Sequence, residues 1–287
     1  MTELMDGRLT AKKVEDDLKI KIGLLKERGK RTPQLTVVLV GDHPASLSYV
    51  AGKDKACQRI GMNSEVLRLP RTISQTELIK VVQRLNDDSQ VDGILVQLPL
   101  PAELDPQEVV RAIDPSKDVD GLHPINVGLM HMQLKGFEPC TPRGILRLLD
   151  EYQIPLQGKD IVVIGRSNLV GRPVAQLLLN RNATVTVCHS KTADLQRYTR
   201  AADVVVVAIG RPHFLRKEHV SSKCVVIDVG INRLENGKLT GDADFDALNG
   251  YVSHITPVPG GVGPMTIAML LENTMDAYYA HEALREV

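Results

Sequence analysis

The sequence has no excess of either charge. Lysine plus arginine and aspartate plus glutamate both number 35, so the composition offers nothing to draw the chain onto a nucleic-acid backbone. Cysteine is scarce: Cys57, Cys140, Cys188 and Cys224 lie far apart, with no CxxC pair and no histidine at zinc-finger spacing. That excludes a disulfide framework and a structural zinc site and leaves reduced thiols. No run of about 18 apolar residues occurs, so no membrane-spanning helix is expected. Residues 1–10 carry charges and lack the apolar stretch of a secretory signal, which points to a cytoplasmic protein with no membrane or nucleic-acid partner. Tryptophan is missing and aromatics make up only 3% of the chain. The remaining composition, 43% hydrophobic and 24% charged, is that of a globular protein and excludes disorder and collagen-like order.

What is present is chain enough for two domains, at 287 residues. Val14, Leu18, Ile22 and Leu25 repeat at helical spacing before Gly29, which predicts an amphipathic helix with a glycine cap. Apolar runs at 35–40, 65–69 and 93–98 read as strands, separated by helices at 44–60 and after the capping-box pattern Ser74 to Glu77. A short helix is expected near 106–113, followed by a loop over 114–126. Pro142, just inside a new helix starting at Thr141, marks the domain hinge. Beyond Gly158, strands at 161–164, 184–188, 204–209 and 224–229 alternate with helical segments, and 265–287 reads as one long helix. Such alternation implies a parallel, doubly wound sheet.

The strand at 161–164 runs into Gly165-Arg166-Ser167-Asn168-Leu169-Val170-Gly171 and then a helix. A glycine turn at a helix N-terminus forms a phosphate cradle, because unpaired N–H groups and the positive helix end face the ligand. The spacing is not GxGxxG, and a plain turn between strand and helix remains the alternative. At the next strand end, where a binder of NAD carries a carboxylate for the ribose, the sequence has Cys188-His189-Ser190-Lys191-Thr192. Donors and a cation there, with Arg166, suit the 2′-phosphate of NADP; the alternative is a solvated strand end. A second glycine loop, TPVPGGVGPMT over 256–266, precedes the last helix.

Tyr49 and Lys53 are four apart and share a helix face, although a helical lysine is ordinarily just a solvated charge. Gln97 is the polar end of the otherwise apolar strand GILVQLPLP, where parallel sheets collect ligands, and the prolines after it would shape a firm apolar wall. In KDVDG, Asp118 and Asp120 sit on a loop. They could bind Mg2+, but with no third acidic ligand close in sequence, a planar amino-heterocycle held through two parallel N–H groups is favoured, and no metal site is assigned.

These blocks, YVAGKDKAC, DGILVQLPLP, KDVDGLHPIN, PCTPRGI, VIGRSNLVGRP, IDVGINR and PVPGGVGPMT, stand in an order that resembles the bifunctional methylenetetrahydrofolate dehydrogenase/cyclohydrolase family over nearly the whole chain. The resemblance implies oxidation of 5,10-methylenetetrahydrofolate by NADP+ and hydrolysis of the methenyl product to 10-formyltetrahydrofolate. It implies Lys53 as central acid/base, Gln97 bonded to it, Tyr49 stacked on the folate and Asp120 gripping the pterin, with Ser46, Leu98, Pro99, Gly261 and Pro264 also lining the substrate. Cofactor contacts carried over are Gly165, Arg166, Ser167, Ser190, Thr141, Ile231, Gly260, Gly261, Gly263 and Thr266. The implied fold is α/β, with an N-terminal three-layer folate domain over 1–140, completed by the returning helix 265–287. A Rossmann-like NADP domain over 141–264 follows, with a cleft between them, in a homodimer.

Two other readings share parts of this pattern. A shikimate or amino-acid dehydrogenase would share the glycine cradle without requiring the DGILVQLPLP wall or the KDVDG loop. A non-enzymatic NADP-binding module would bind the cofactor without turnover.

Overall fold

The structure, a computed structural model, describes residues 1–282, with the side chain of Ala45 excepted. Positions 283–287 of the expected terminal helix lie outside the described residues. The chain divides into two compact units, one made of Lys12–Cys140 and the chain from Ile267 onward, the other of Met1–Ala11 and Thr141–Thr266.

The chain opens with strand β1 (Glu3–Leu4) and helix α1 (Gly7–Glu27). Val14, Leu18, Ile22 and Leu25 of α1 are all buried, each contributing about 1.5–3 kcal/mol of burial. The helix ends where Gly29 takes a φ of 66°. In the Lys12–Cys140 unit follow β2 (Gln34–Val40), α2 (Pro44–Ile60), β3 (Asn63–Leu69), α3 (Gln75–Asp87), β4 (Gly93–Val96), α4 (Pro106–Ala112) and α5 (Pro124–His131). The strands form a parallel sheet in the order β3-β2-β4, with β2 in the middle and Val37 in register with both Val66 and Leu95. A central parallel strand is covered on both faces, so β2 reads as a continuous apolar run rather than an alternating one.

Local chemistry sets the helix ends here. Pro44 opens α2 with no N–H to leave unsatisfied, and Gly61 closes it in the left-handed conformation at φ 78°. The Ser74 and Glu77 capping box begins α3. Helix α5 was not expected: it replaces the end of the loop read over 114–126, with Pro124 at its start and the His123 ring nitrogen accepting the Ile125 N–H.

The second unit begins inside α6 (Cys140–Glu151), then runs β5 (Asp160–Ile164), α7 (Gly171–Asn180), β6 (Thr184–Cys188), α8 (Gln196–Thr199), β7 (Val204–Val207) and β8 (Val225–Asp228). The hairpin β9 (Asn232–Arg233) and β10 (Leu239–Thr240), helix α9 (Phe245–Leu248) and strand β11 (His254–Ile255) follow. Helix α10 (Val262–His281) starts three residues earlier than the apolar pattern suggests, inside the glycine loop. The six-stranded sheet has the order β1-β11-β8-β7-β5-β6 with every pair parallel. Strand order reverses around β5, because β6 lies on one side of it and β7 on the other, so the carboxyl ends of β5 and β7 flank the switch point.

The N-terminal residues differ from the expected division of the chain. Leu4 pairs with Ile255, and Met5, fully buried, donates its N–H to the Ile255 carbonyl. At Gly7 a Cβ would collide with the carbonyl oxygen of Gly261, so only glycine permits that approach. Residues 1–11 therefore group with the unit that follows residue 140, not with the stretch they precede.

Candidate active site

Helix α2 places Ser46, Tyr49 and Lys53 at i, i+3 and i+7, hence on one face. Ser46 is buried and its hydroxyl has no hydrogen-bond partner among the described residues, while Tyr49 is exposed. Lys53 is buried, and its Nζ donates to Gln97 Oε1 at 2.9 Å. Gln97 follows β4, still tied to the sheet by its N–H to the Val38 carbonyl. Its side-chain amide donates to the Leu98 carbonyl at 2.7 Å, which turns the side-chain oxygen toward the lysine. Leu98 and Pro99 then form a cis peptide, with Leu98 half-buried and Pro99 exposed. Desolvation lowers the Lys53 pKa below its ordinary value, and the nearby Asp120 and Cys140 only partly restore the charged form.

The KDVDG loop separates into scaffold and ligand-facing parts. Lys117 is buried, and its Nζ donates to the Leu85, Asn86 and Asp88 carbonyls at 3.1, 2.7 and 2.7 Å, closing the C-terminal end of α3. The Asp118 carboxylate accepts the His123 N–H at 2.8 Å and Asn126 Nδ2 at 2.9 Å. Burial pushes its pKa up to about 6 against those hydrogen bonds. Asp118 is thus spent on holding the loop, which removes it from the Mg2+ pair considered above. Asp120 remains half-buried, its carboxylate taking no hydrogen bond among the described residues. Asn273 of α10 donates to the Val119 carbonyl at 2.8 Å and so anchors the residue between the two aspartates.

In the other unit, β5 leads into Gly165 at φ 122°, where a Cβ would collide with the Ala208 carbonyl. A Cβ on Gly171 would collide with Gly165 itself, so the turn is closed backbone on backbone. Ser167 Oγ accepts the Val170 and Gly171 N–H groups at 3.2 and 3.3 Å at the start of α7. Arg166, Ser190 and Lys191 are exposed, and neither cation forms an ion pair among the described residues. No carboxylate lies between 184 and 192. This donor set fits a nucleotide phosphate, the 2′-phosphate included. Gly260, at φ 117°, lies against the Arg8 guanidinium, and Ile231 reaches toward Gly263 while staying exposed. Thr141 and Thr266 share a hydroxyl hydrogen bond of 2.9 Å. Pro264 is half-buried in the first turn of α10.

One feature of this unit was missed from the sequence. Asp228 and Asp242 are both buried carboxylates. Asp228 accepts the N–H groups of Gly230, Asp242 and Ala243 at 3.0, 2.9 and 2.8 Å. Asp242 accepts those of Ile209, Gly210 and Arg211 at 2.6, 2.9 and 2.7 Å, and Asn232 Nδ2 at 2.8 Å. Burial, with Asp242 adding to it, pushes the Asp228 pKa up to about 7 against its three hydrogen bonds. The available signal was a carboxylate ending the apolar run CVVID and a second one in GDAD.

Residues 5–120 match the model of the tetrahydrofolate dehydrogenase/cyclohydrolase catalytic domain, and residues 139–282 match the NAD(P)-binding domain of the same family. The chain belongs to the tetrahydrofolate dehydrogenase/cyclohydrolase family. Among family relatives, the bifunctional protein FolD of Oceanobacillus iheyensis is 53% identical over 277 residues, covering 96% of this chain and 97% of the relative. The crystal structure of the bifunctional enzyme FolD, methylenetetrahydrofolate dehydrogenase/cyclohydrolase, from Campylobacter jejuni superposes with a TM-score of 0.96 at 52% identity, covering 98% of this chain and 99% of that one. The Trypanosoma brucei N5,N10-methylenetetrahydrofolate dehydrogenase-cyclohydrolase, solved with NADP cofactor and an inhibitor, has a TM-score of 0.93 at 38% identity and covers 97% and 98%. Within this tetrahydrofolate dehydrogenase/cyclohydrolase chain, Lys53, Gln97, Asp120, Tyr49 and Ser46 lie in the catalytic domain and the glycine turn lies in the NAD(P)-binding domain. Among the described residues, no helix is long and apolar enough to cross a membrane.

Proposed function

We propose that the chain oxidises 5,10-methylenetetrahydrofolate with NADP+ and hydrolyses the 5,10-methenyl product to 10-formyltetrahydrofolate. The observation that carries this reading is the buried Lys53 whose ammonium is oriented by Gln97 beside the only partly buried Asp120.

Lys53 is the proton-handling group. Burial favours its neutral form, so it can accept a proton from the water that adds to the methenyl carbon and return it later in the step. Gln97 holds the amine in place, Asp120 takes the pterin N–H groups, and Tyr49 stacks on the ring with Ser46, Leu98 and Pro99 around it. Gly261 and Pro264 complete the substrate set. When bound, NADP+ supplies the hydride acceptor. Gly165, Arg166, Ser167 and Ser190 hold its phosphates, and Thr141, Ile231, Gly260, Gly261, Gly263 and Thr266 line the rest of the dinucleotide. Lys12–Cys140 with its returning helix serves folate, and Thr141–Thr266 serves the cofactor.

A homodimer in the cytoplasm belongs to the same proposal. Strand β6 is the outer strand of the large sheet, bears the exposed Val187, and is followed and preceded by elements with exposed Tyr198 and Leu179. An open edge of this kind is a ready pairing surface for a second copy. Sedimentation equilibrium tests it, a monomer at all concentrations being the contrary result.

The deciding assay follows NADPH formation with 5,10-methylenetetrahydrofolate and, separately, loss of 5,10-methenyltetrahydrofolate without cofactor. Activity in both supports the reading. Activity with shikimate or an amino acid instead, or NADP binding without turnover, overturns it.

A further inference from the structure

Asp228 and Asp242 bury two carboxylates in one unit, and neither meets a cation within ion-pair distance among the described residues. Burying carboxylates against main-chain N–H groups is a costly way to stabilise a sheet that Val204–Val207 and Val225–Asp228 already hold by packing. Their placement explains them better. Asp228 ends β8, and Asp242 collects the three successive N–H groups that follow β7. Both loops lie at the carboxyl edge of the sheet, beside the switch point where ligands of doubly wound folds bind.

The two loops border elements already assigned to the dinucleotide. The loop after β7 starts at Ala208, whose carbonyl fills the place of a side chain on Gly165. The loop after β8 carries the exposed Ile231, and both neighbours of Ile231 are tied down: Gly230 by its N–H to Asp228 and Asn232 by its side chain to Asp242. The glycines at 230 and 241 are required for the same reason, since a Cβ on either would collide with the carboxylate of Asp242 or Asp228 respectively.

We propose that Asp242 and Asp228 are positioning residues for the dinucleotide, fixing the loops after β7 and β8 in the arrangement that presents Ile231 and seats the glycine turn. This rests on the NADP-dependent reading above. Asp242 Oδ1 accepts from Arg211 N–H and Asn232 Nδ2, and Oδ2 accepts from Ile209 and Gly210 N–H. An asparagine there points its NH2 at donors whichever way it is turned, and the loop must move.

The test compares the wild type with Asp242→Asn and Asn232→Ala, the second removing one link while leaving both carboxylates in place. Calorimetric NADP+ affinity, steady-state KM and kcat, and thermal unfolding are read together. Asp242→Asn should raise Kd and KM for NADP+ at least tenfold while kcat at saturating cofactor changes less than threefold, and Asn232→Ala should raise them several-fold. A purely structural role would lower Tm and the active fraction and leave KM alone. Folded variants with wild-type NADP+ Kd and KM overturn the proposal, and if Asp242→Asn does not fold, Asn232→Ala decides it by the same criterion. A wild type that binds no NADP+ would instead sink the functional reading.

Discussion

Lys53 Nζ and Gln97 Oε1 stand 2.9 Å apart, and the glutamine can present only its oxygen because its own NH2 is held by the Leu98 carbonyl at 2.7 Å. The amine is therefore oriented by an acceptor with no negative charge. A carboxylate in that position would hold the lysine protonated, whereas a neutral amide leaves desolvation as the dominant influence on it.

Replacing Lys53 with methionine keeps the length of the side chain and removes the titrating group. The cyclohydrolase rate should fall by about a hundredfold or more, the range of general acid–base catalysis, and the dehydrogenase rate should fall less. In the wild type the cyclohydrolase rate should rise with pH through a Lys53 pKa below the ordinary 10.5. Stability runs the same way. The unfolded chain binds a proton at Lys53 more readily than the folded one, so between the folded pKa and 10.5 the wild type gains stability as pH rises. The methionine variant should lack that slope and match or exceed the wild-type Tm at neutral pH. A folded, folate-binding variant with wild-type hydrolysis would remove Lys53 from the mechanism.

Changing Arg166 to alanine should weaken NADP+ and hardly touch NAD+. A charge-assisted contact contributes about 1.5–3 kcal/mol, so the loss should be about tenfold or more in KM. Equal losses for the two cofactors would assign Arg166 to the shared pyrophosphate.

Arg31 grips Asp92 with two hydrogen bonds of 2.7 Å, and His281 Nδ1 and the Gln34 N–H complete the shell of a fully buried carboxylate. Burial alone would raise the Asp92 pKa, yet Arg31 and the other donors together bring it below its ordinary 3.8. This pair contributes stability above pH 3.8 that is lost as pH falls through the folded pKa. Asp92→Asn should cost about 3 kcal/mol in urea unfolding at pH 7 and almost nothing once the carboxylate is protonated. An equal cost at both pH values would show that shape, not charge, matters there.

Lys117→Met would leave three carbonyls at the end of α3 without their donor. A loss of about 2 kcal/mol or more is expected in urea unfolding. If the folate KM stayed at the wild-type value in the folded variant, the loop bearing Asp120 would not depend on this anchor.

Long periodic elements were legible in the sequence because their signals are local. Pro44 and Gly61 bound α2 where the pattern placed them, and Ser74 with Glu77 forms the capping box that the spacing implied. The apolar run 93–98 extends two residues past the strand, because Gln97, still bonded to the Val38 carbonyl, and Leu98 turn toward the site. The two-residue strands β1 and β11 carry no periodicity: β11 exists through its pairing with β8, and β1 only through β11. Asp228 and Asp242 show in the sequence only as carboxylates in CVVID and GDAD, and their link does not: 14 positions separate them, and what unites them is a set of main-chain N–H groups that no side-chain pattern records.

The pairing of Glu3 with His254 has a consequence for how the protein is made on the ribosome. Residues near the amino terminus wait until nearly the whole chain has emerged before they find their strand neighbour. The anchoring of Val119 by Asn273 imposes the same delay on the first-made unit. Nascent chains halted near residue 250 should thus leave β1 unpaired, the β8 edge meant for β11 open and the surface meant for α10 uncovered, a window in which chaperones would find their binding surface and aggregation its seed.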